Sequence, residues 1–268
     1  MPRLPTYIPR IPKQPKLPQM QGVYKLNTNL LNISTFHDLH KIDIPKIKTW
    51  IFDPPYNVGF KYDNISDEIP IKEYNNLIYE SSKIMLDNST DDSSLFLIHY
   101  KIPAARLIPI IEHSGWVLHQ WISWVYPHNM GFSKHKFTQG SRAILWFTKG
   151  NPTINIKAVP GQYKNPKDKR IIKRMDAGHH PALMDWWDIN LRKNVSKGHR
   201  KYANQLPFEL VKRLILTTSS PCDWIGDLMA GSGTTLEVAS QYGRKTFLND
   251  INPNCLPLWQ QILQGGCQ

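Results

Sequence analysis

The run Thr49-Trp50-Ile51-Phe52-Asp53-Pro54-Pro55-Tyr56-Asn57 decides how the rest of the chain is read. Trp50 to Phe52 is a short apolar stretch bounded by turn formers, which marks a buried strand. The strand must stop at Asp53, because Pro54 and Pro55 remove two backbone donors and bias the preceding residue to an extended shape. A rigid turn at the C-terminal end of a strand is where open α/β sheets place their ligands. Asp53 and the Pro54 carbonyl can together accept both N–H bonds of a planar amine, and Tyr56 can stack on its ring. A plain Pro-Pro turn with a surface tyrosine reads the same over four residues, so the remaining chain has to decide.

Working outward, Val23 to Leu26 reads as a short strand ended by Asn27-Thr28-Asn29, and Leu30 to Leu39 as a weak helix. Tyr62-Asp63-Asn64 falls in a loop over the site. Helical spacing follows over Tyr74 to Leu86, an apolar strand over Ser94 to Ile98, and a helix over Ala104 to Glu112. Trp116 to Tyr126 and Ala143 to Phe147 are strand-like and close enough to pair antiparallel. Pro207 to Leu216 is an amphipathic helix, Asp223 to Asp227 leads into a strand, and Thr234 to Tyr242 is a further helix stopped by Gly243. Thr246 to Leu248 is a strand ending at Asn249-Asp250, and Leu256 to Leu263 closes the pattern as a helix. Strands alternating with helices indicate an α/β fold with a mainly parallel sheet and an antiparallel edge pair.

Composition sets the class of partner. A formal net charge of +12 on 268 residues points to a polyanion, nucleic acid ahead of membrane, since no basic amphipathic helix stands out. No apolar run approaches membrane-spanning length, and the N-terminus lacks the apolar core of a signal peptide. Cys222, Cys255 and Cys267 form no CxxC pair, which argues against a disulfide framework or zinc site and for a reducing, intracellular home. The adjacent His179-His180 has no third ligand nearby, so no metal is expected. Residues 1–20 carry six prolines and four Lys/Arg and read as an extended or disordered basic arm.

Residues 150–203 carry twelve Lys/Arg against four Asp, with Tyr163, Trp186 and Trp187 interleaved. Cations with scattered rings suit phosphate contacts and base stacking, and a loop this long in a compact domain is usually functional. The candidate DNA contacts are Lys134 and Lys136 just before this segment, with Lys164, Lys169, Arg170, Lys173, Arg174, Arg192, Lys193, Lys197 and Arg200 inside it.

A second site lies at Asp227-Leu228-Met229-Ala230-Gly231-Ser232-Gly233-Thr234-Thr235, between a strand and a helix. The glycines allow close backbone approach, but neither a P-loop lysine nor a third fingerprint glycine follows. Asp250, at the end of the next strand, stands where nucleoside-binding folds hydrogen-bond ribose hydroxyls. Asp227 would repel a pyrophosphate and suits an adenosyl ligand carrying an ammonium group.

With Asp-Pro-Pro-Tyr at 53–56 and Asp-x-x-x-Gly-Ser-Gly-Thr-Thr at 227–235, the chain resembles the amino-group DNA methyltransferases, in the motif order of their β class. The likeness extends over about residues 21–258, with Phe137-Thr138, Ile144-Leu145-Trp146 and Asn204-Gln205-x-Pro207 as further matches. The resemblance implies a Rossmann-like methyltransferase fold with a seven-stranded sheet. One catalytic domain would span 21–268, with 150–203 as a target-recognition insertion. It implies methyl transfer from S-adenosyl-L-methionine, giving S-adenosyl-L-homocysteine, to N6 of a flipped adenine in DNA, without a metal. Asp53, Pro54, Pro55 and Tyr56 would be catalytic. Asn27, Asp53, Asn204, Gln205, Asp227, Met229, Ala230, Gly231, Ser232, Gly233, Thr234, Thr235, Asn249 and Asp250 would hold the cofactor. Asn27 is placed there because it follows the first strand, where the family has Gly-Asp. Leu228-Met229-Ala230 replaces the family's Pro-Phe-x, Leu206 replaces its Lys, and Arg142 stands where a Glu is common. N4-cytosine methylation and a non-catalytic DNA-binding subunit stay open as alternatives. A homodimer and a cognate restriction enzyme stay open as partners. The implied location is the bacterial or phage-infected cytoplasm, at the nucleoid.

Overall fold

The computed structural model describes residues 22–59, 61–62, 65–126, 134–135, 137–152, 154–159, 161, 163, 165–192 and 204–265. The N-terminal arm, Asp63, Asn64, Lys136, Lys164, Lys193, Lys197 and Arg200 lie outside the described residues. In chain order the elements are β1 (Gly22–Leu26), β2 (Asn29–Ile33), a 3-10 helix (Phe36–Lys41), β3 (Ile47–Phe52), β4 (Lys61–Tyr62), β5 (Ile65–Ser66), α1 (Ile71–Asp87), β6 (Ser89–His99) and α2 (Lys101–His113). They continue with β7 (Val117–Val125), β8 (Ser141–Thr148), a second 3-10 turn (Ile156–Ala158), α3 (Lys169–Asp176) and β9 (Trp186–Asp188). The last are α4 (Phe208–Thr218), β10 (Trp224–Asp227), α5 (Thr234–Gln241), β11 (Lys245–Asp250) and α6 (Cys255–Gly265).

Among the described residues the main sheet has nine strands, in the order β1-β2-β11-β10-β3-β6-β8-β7-β9. Seven were expected; the short outer strands β1 and β9 make the difference. The five from β2 to β6 run parallel, β8 and β7 form the expected antiparallel pair, and β1 folds back on β2 as a hairpin. The weak helix expected over Leu30 to Leu39 is instead β2 followed by the 3-10 turn. β2 is buried on both faces, so its apolar residues do not alternate, and a short unalternating run cannot be told from a helix by spacing alone.

Successive residues of β3 feed opposite sides of the sheet. Trp50 and Phe52 join Leu95, Ile78 and Leu107 under α1 and α2, whereas Ile51 joins Phe96, Leu214 and Val238 under α4 and α5. Trp50 is wholly buried and donates from Nε1 to Ser89 Oγ at 2.9 Å, which satisfies the indole's polar atom. Its six-membered ring lies against Gly226 of β10, where a Cβ would come within 2.2 Å of two ring carbons. That close approach explains the glycine inside an otherwise regular strand.

From β3 the chain crosses to β6 on one side, and from β10 it crosses to β11 on the other. β3 and β10 are therefore the two strands at which the winding reverses, and the crevice beyond their C-terminal ends is the ligand position of such sheets. Asp227 pairs with Ile51, so Asp227 and Asp53 leave the sheet side by side.

Candidate active site

The turn after β3 is held from several directions. Asn57, at φ 55°, donates from Nδ2 to the Ile69 carbonyl and accepts from Ile69 N, tying the turn to the start of α1. Tyr74 of α1 donates to the Pro55 carbonyl at 2.8 Å and also pairs with His99 Nε2 at 2.9 Å. Tyr56 donates from its hydroxyl to Asp53 Oδ1 at 2.5 Å. Arg142 of β8 in turn donates from Nη1 to the Tyr56 oxygen at 2.9 Å. Tyr56 is thus a buried residue, 8% exposed, with its ring 4.6 Å from that of His99 and 4.8 Å from that of Tyr100. A surface tyrosine on a plain turn would have none of these contacts.

On the neighbouring strand ends, Asp227 accepts from Thr235 Oγ1 at 2.6 Å and from Met229 N at 3.1 Å. Asp250 accepts from Gly231 N and from Asn252 N, both at 2.8 Å. Gly231 and Gly233 have φ of 48° and 80°, and a Cβ on Gly233 would meet Trp259 of α6 at 2.5 Å. Trp259 Nε1 donates to the Gly231 carbonyl. The glycines here close a tight loop against α6 and Asp250. Ala230 and Ser232 are buried in that loop, and Met229 is partly exposed beside it. Thr234 donates to the Leu206 carbonyl at 3.3 Å, which brings the Asn204–Pro207 segment, with buried Gln205 and exposed Asn204, onto the loop.

Burial acts on all three acids. It raises Asp53 to about 6, against the Arg142 charge and the Tyr56 hydrogen bond, which pull it down. It raises Asp227 to about 7, opposed by Thr235 and Met229 N and reinforced by the charges of Asp53 and Asp250. Asp250 is also raised by burial, in spite of its backbone donors. Asp227, repelled by the charges of Asp53 and Asp250 on either side, is set up to receive a cation.

Two expected site residues are placed otherwise. Because β2 runs parallel to β11, with Ile33 beside Asp250, the hairpin turn at Asn27 lies beyond the N-terminal ends of these strands, opposite the crevice. Asn27 is exposed there at φ 55° and serves the turn. The strand that reaches the site ends at Asn32-Ile33-Ser34, which sequence reading passed over. Asn249 is engaged in joining strands. Its Oδ1 accepts from Asn32 at 2.6 Å and from Ser34, and its Nδ2 donates to the Leu228 carbonyl. His99 and Tyr74 were also missed as site residues, and Arg142 was noted only as standing where a Glu is common.

In the outer part of the sheet, Lys169, Arg170, Lys173 and Arg174 stand exposed on α3, and Lys134 is exposed beyond β7. Asp168 caps α3 by accepting from Arg170 N at 2.8 Å. Arg192 is instead half-buried and pairs with Glu237 of α5 at 3.5 Å, which makes it a tie between elements. Trp187 is buried and donates to the Met184 carbonyl, so of the two adjacent indoles only Trp186 is exposed. Among the described residues no three His, Cys, Asp or Glu side chains gather as a metal site requires, and no helix is long and apolar enough to cross a membrane.

The chain is similar to the type II methyltransferase M1.MboII of Moraxella bovis, at 26% identity over 82% of this chain and 90% of that protein. It is 25% identical to the DNA adenine methyltransferase YhdJ of Escherichia coli, over 80% of this chain and 75% of that one. Among solved structures, the cytosine-N4-specific PvuII DNA methyltransferase superposes with a TM-score of 0.64 at 16% identity, over 88% of this chain and 93% of that one. An S-adenosylmethionine complex of M1.HpyAVI superposes with a TM-score of 0.59 at 17% identity, covering 85% and 93%. These two likenesses show a common fold. The N6_N4_Mtase family of DNA methylases matches residues 47–261, from the first residue of β3 into α6, and the chain belongs to that family.

Proposed function

We propose that the protein transfers a methyl group from S-adenosyl-L-methionine to N6 of an adenine flipped out of duplex DNA. The observation that carries the reading is the convergence of Asp53, Asp227 and Asp250 on one crevice at the winding reversal of the sheet. S-adenosylmethionine is cationic at both its sulfonium and its ammonium, so the donor set fits it. Asp227, Asp250, Gln205 and the loop from Met229 to Thr235 would hold it, with Thr234 and Thr235 acting as braces. When bound, the sulfonium supplies an already activated methyl group.

The chain's own residues then act on the base. An exocyclic amine is a poor nucleophile because its lone pair is delocalised into the ring. Asp53 and the Pro54 carbonyl accept its two N–H bonds and steer the nitrogen towards a localised, pyramidal state. Tyr56 lies against the base, and in-line alignment provides much of the rest. Asp53, whose pKa is already lifted to about 6, takes the surplus proton after transfer.

Asp at position 53 favours adenine, since the cytosine enzymes of the resembling family more often carry Ser there. Exposed cations on α3, within a 150–203 insertion into one catalytic domain, suit the DNA backbone. Similarity to type II methyltransferases supports a cognate restriction endonuclease as a functional partner. The test is to incubate the protein with duplex DNA and methyl-labelled S-adenosylmethionine, then hydrolyse the DNA for mass spectrometry. Labelled N6-methyladenine is the expected product. Label found only in N4-methylcytosine reverses the choice of base, and unlabelled DNA favours the non-catalytic subunit.

A further inference from the structure

Arg142 is a guanidinium placed where a charge needs a reason. It is the second residue of β8, a strand covered on both edges by β6 and β7, and is 8% exposed. Its Cζ lies 5.0 Å from the ring centre of Tyr56, 5.2 Å from Trp124, 5.3 Å from Tyr100 and 5.9 Å from Tyr126. Such a cage holds a cation through the faces of the rings, but desolvating a guanidinium remains costly without a direct partner. It has two: the Tyr56 oxygen, at 2.9 Å, and the Tyr126 side chain. With the guanidinium on its lone pair, the Tyr56 hydroxyl keeps its own hydrogen for Asp53 Oδ1 at 2.5 Å.

We propose that Arg142 is the positioning residue of the catalytic turn: it holds the Tyr56 hydroxyl on Asp53 and keeps Asp53 a charged acceptor when the target amine arrives. This rests on the methyltransferase reading above. The groups around Asp53 are Tyr56 from its own turn, Arg142 from β8 and Asp227 from β10, which repels it. His99, at the end of β6, stands behind Tyr56 and is neutral, since burial first and the Arg142 charge as well lower it to about 4 against the Tyr100 backbone. The positive charge in this set is therefore Arg142. Burial would push its proton off, yet Tyr56, Asp53, Tyr126 and Tyr100 more than compensate and raise it overall. A guanidinium is not deprotonated in proteins, so the charge is permanent.

The test uses the full chain and the variants Arg142→Gln, Arg142→Lys and Tyr56→Phe, with single-turnover methyl transfer to duplex DNA followed across pH. Arg142→Gln should move the midpoint of the acid limb up by about one unit or more, recovering transfer at higher pH. Arg142→Lys keeps the charge and should leave the midpoint in place while slowing the step. A purely structural role would slow both variants equally at all pH values with the midpoint unmoved, and that result overturns the proposal. If Arg142→Gln does not fold, Tyr56→Phe decides: cutting the link should raise the midpoint, and an unmoved midpoint overturns the idea. Carbon NMR of the Asp53 carboxyl reads the same titration without catalysis. A wild-type protein that transfers no methyl group sinks the methyltransferase reading, whereas the NMR midpoints still decide the role of Arg142. A higher Asp53 midpoint in the glutamine or phenylalanine variant supports it, and equal midpoints refute it.

Discussion

Around β3, β10 and β11, Asp227 and the Arg142 guanidinium are buried and Asp53 and Asp250 partly buried, each held by named hydrogen bonds at a strand end or in the sheet. Along α3 and its flanks, cations of similar number stand in solvent and pack against little. On the proposed reading, the first region needs charge at fixed points, because methyl transfer runs over one short, defined distance, and the second needs only charge density, because the DNA backbone offers the same anion at every step. A substitution in the first should therefore alter chemistry, and one in the second should alter affinity alone.

The largest break in this comparison should come from Asp53→Ala. Methyl transfer should fall by about 10²–10⁴-fold, the usual scale for removing a positioned proton acceptor. Cofactor binding, measured by calorimetry, should survive on the proposed division, in which Asp227 and Asp250 form a separate grip. Joint loss of both would mean that the crevice is one site rather than two. Gly226→Ala should come next: its methyl group would press into the Trp50 ring and destabilise the fold by about 1–3 kcal/mol, read from urea melts.

The acids make the cofactor's effect depend on pH. Asp227 has a folded pKa of about 7, above its ordinary 3.8, so its contribution to stability is present below 3.8 and lost as pH rises through 7. The cofactor-free protein should thus lose stability across that window. A bound cation relieves the repulsion, so the rise in melting temperature on adding S-adenosylmethionine should grow from acid to neutral pH. A constant rise would show that the three carboxylates do not meet the cation.

On the outer side, Lys173→Ala should weaken DNA binding about equally for all sequences and lower the salt slope by about one. Anisotropy titrations at several salt concentrations check this, and a changed target sequence would mean that Lys173 reads bases. The smallest effect belongs to Asn27→Ala, which should leave cofactor affinity unchanged by calorimetry because Asn27 turns the hairpin opposite the crevice.

The same contrast governs what could be read from the chain in advance. The turn at Asp53 and the glycine loop were legible because prolines, glycines and strand-ending acids act on their immediate neighbours. The α1, α2 and α4 helices were legible because each buries one stripe. β2 was not, since burial on both faces erases its alternation, and placing Asn27 at the site followed from that error. β9 was missed because three residues carry no periodicity. The Arg142–Tyr56–Asp53 chain joins residues from distant strands, and local pattern has no access to such a contact.

The pairing of β3 with β10 also bears on how the protein is made. Thr49, beside Trp50, meets the Thr218 hydroxyl at 2.9 Å across 169 residues of sequence. On the ribosome β3 emerges early, and β6 can cover one of its edges soon afterwards. The other edge, with its apolar run from Trp50 to Phe52, waits bare until Trp224–Asp227 is synthesised. A chain stalled before that point has neither the glycine loop nor Asp227, and it presents an unpaired strand edge of the kind that pairs with neighbouring chains.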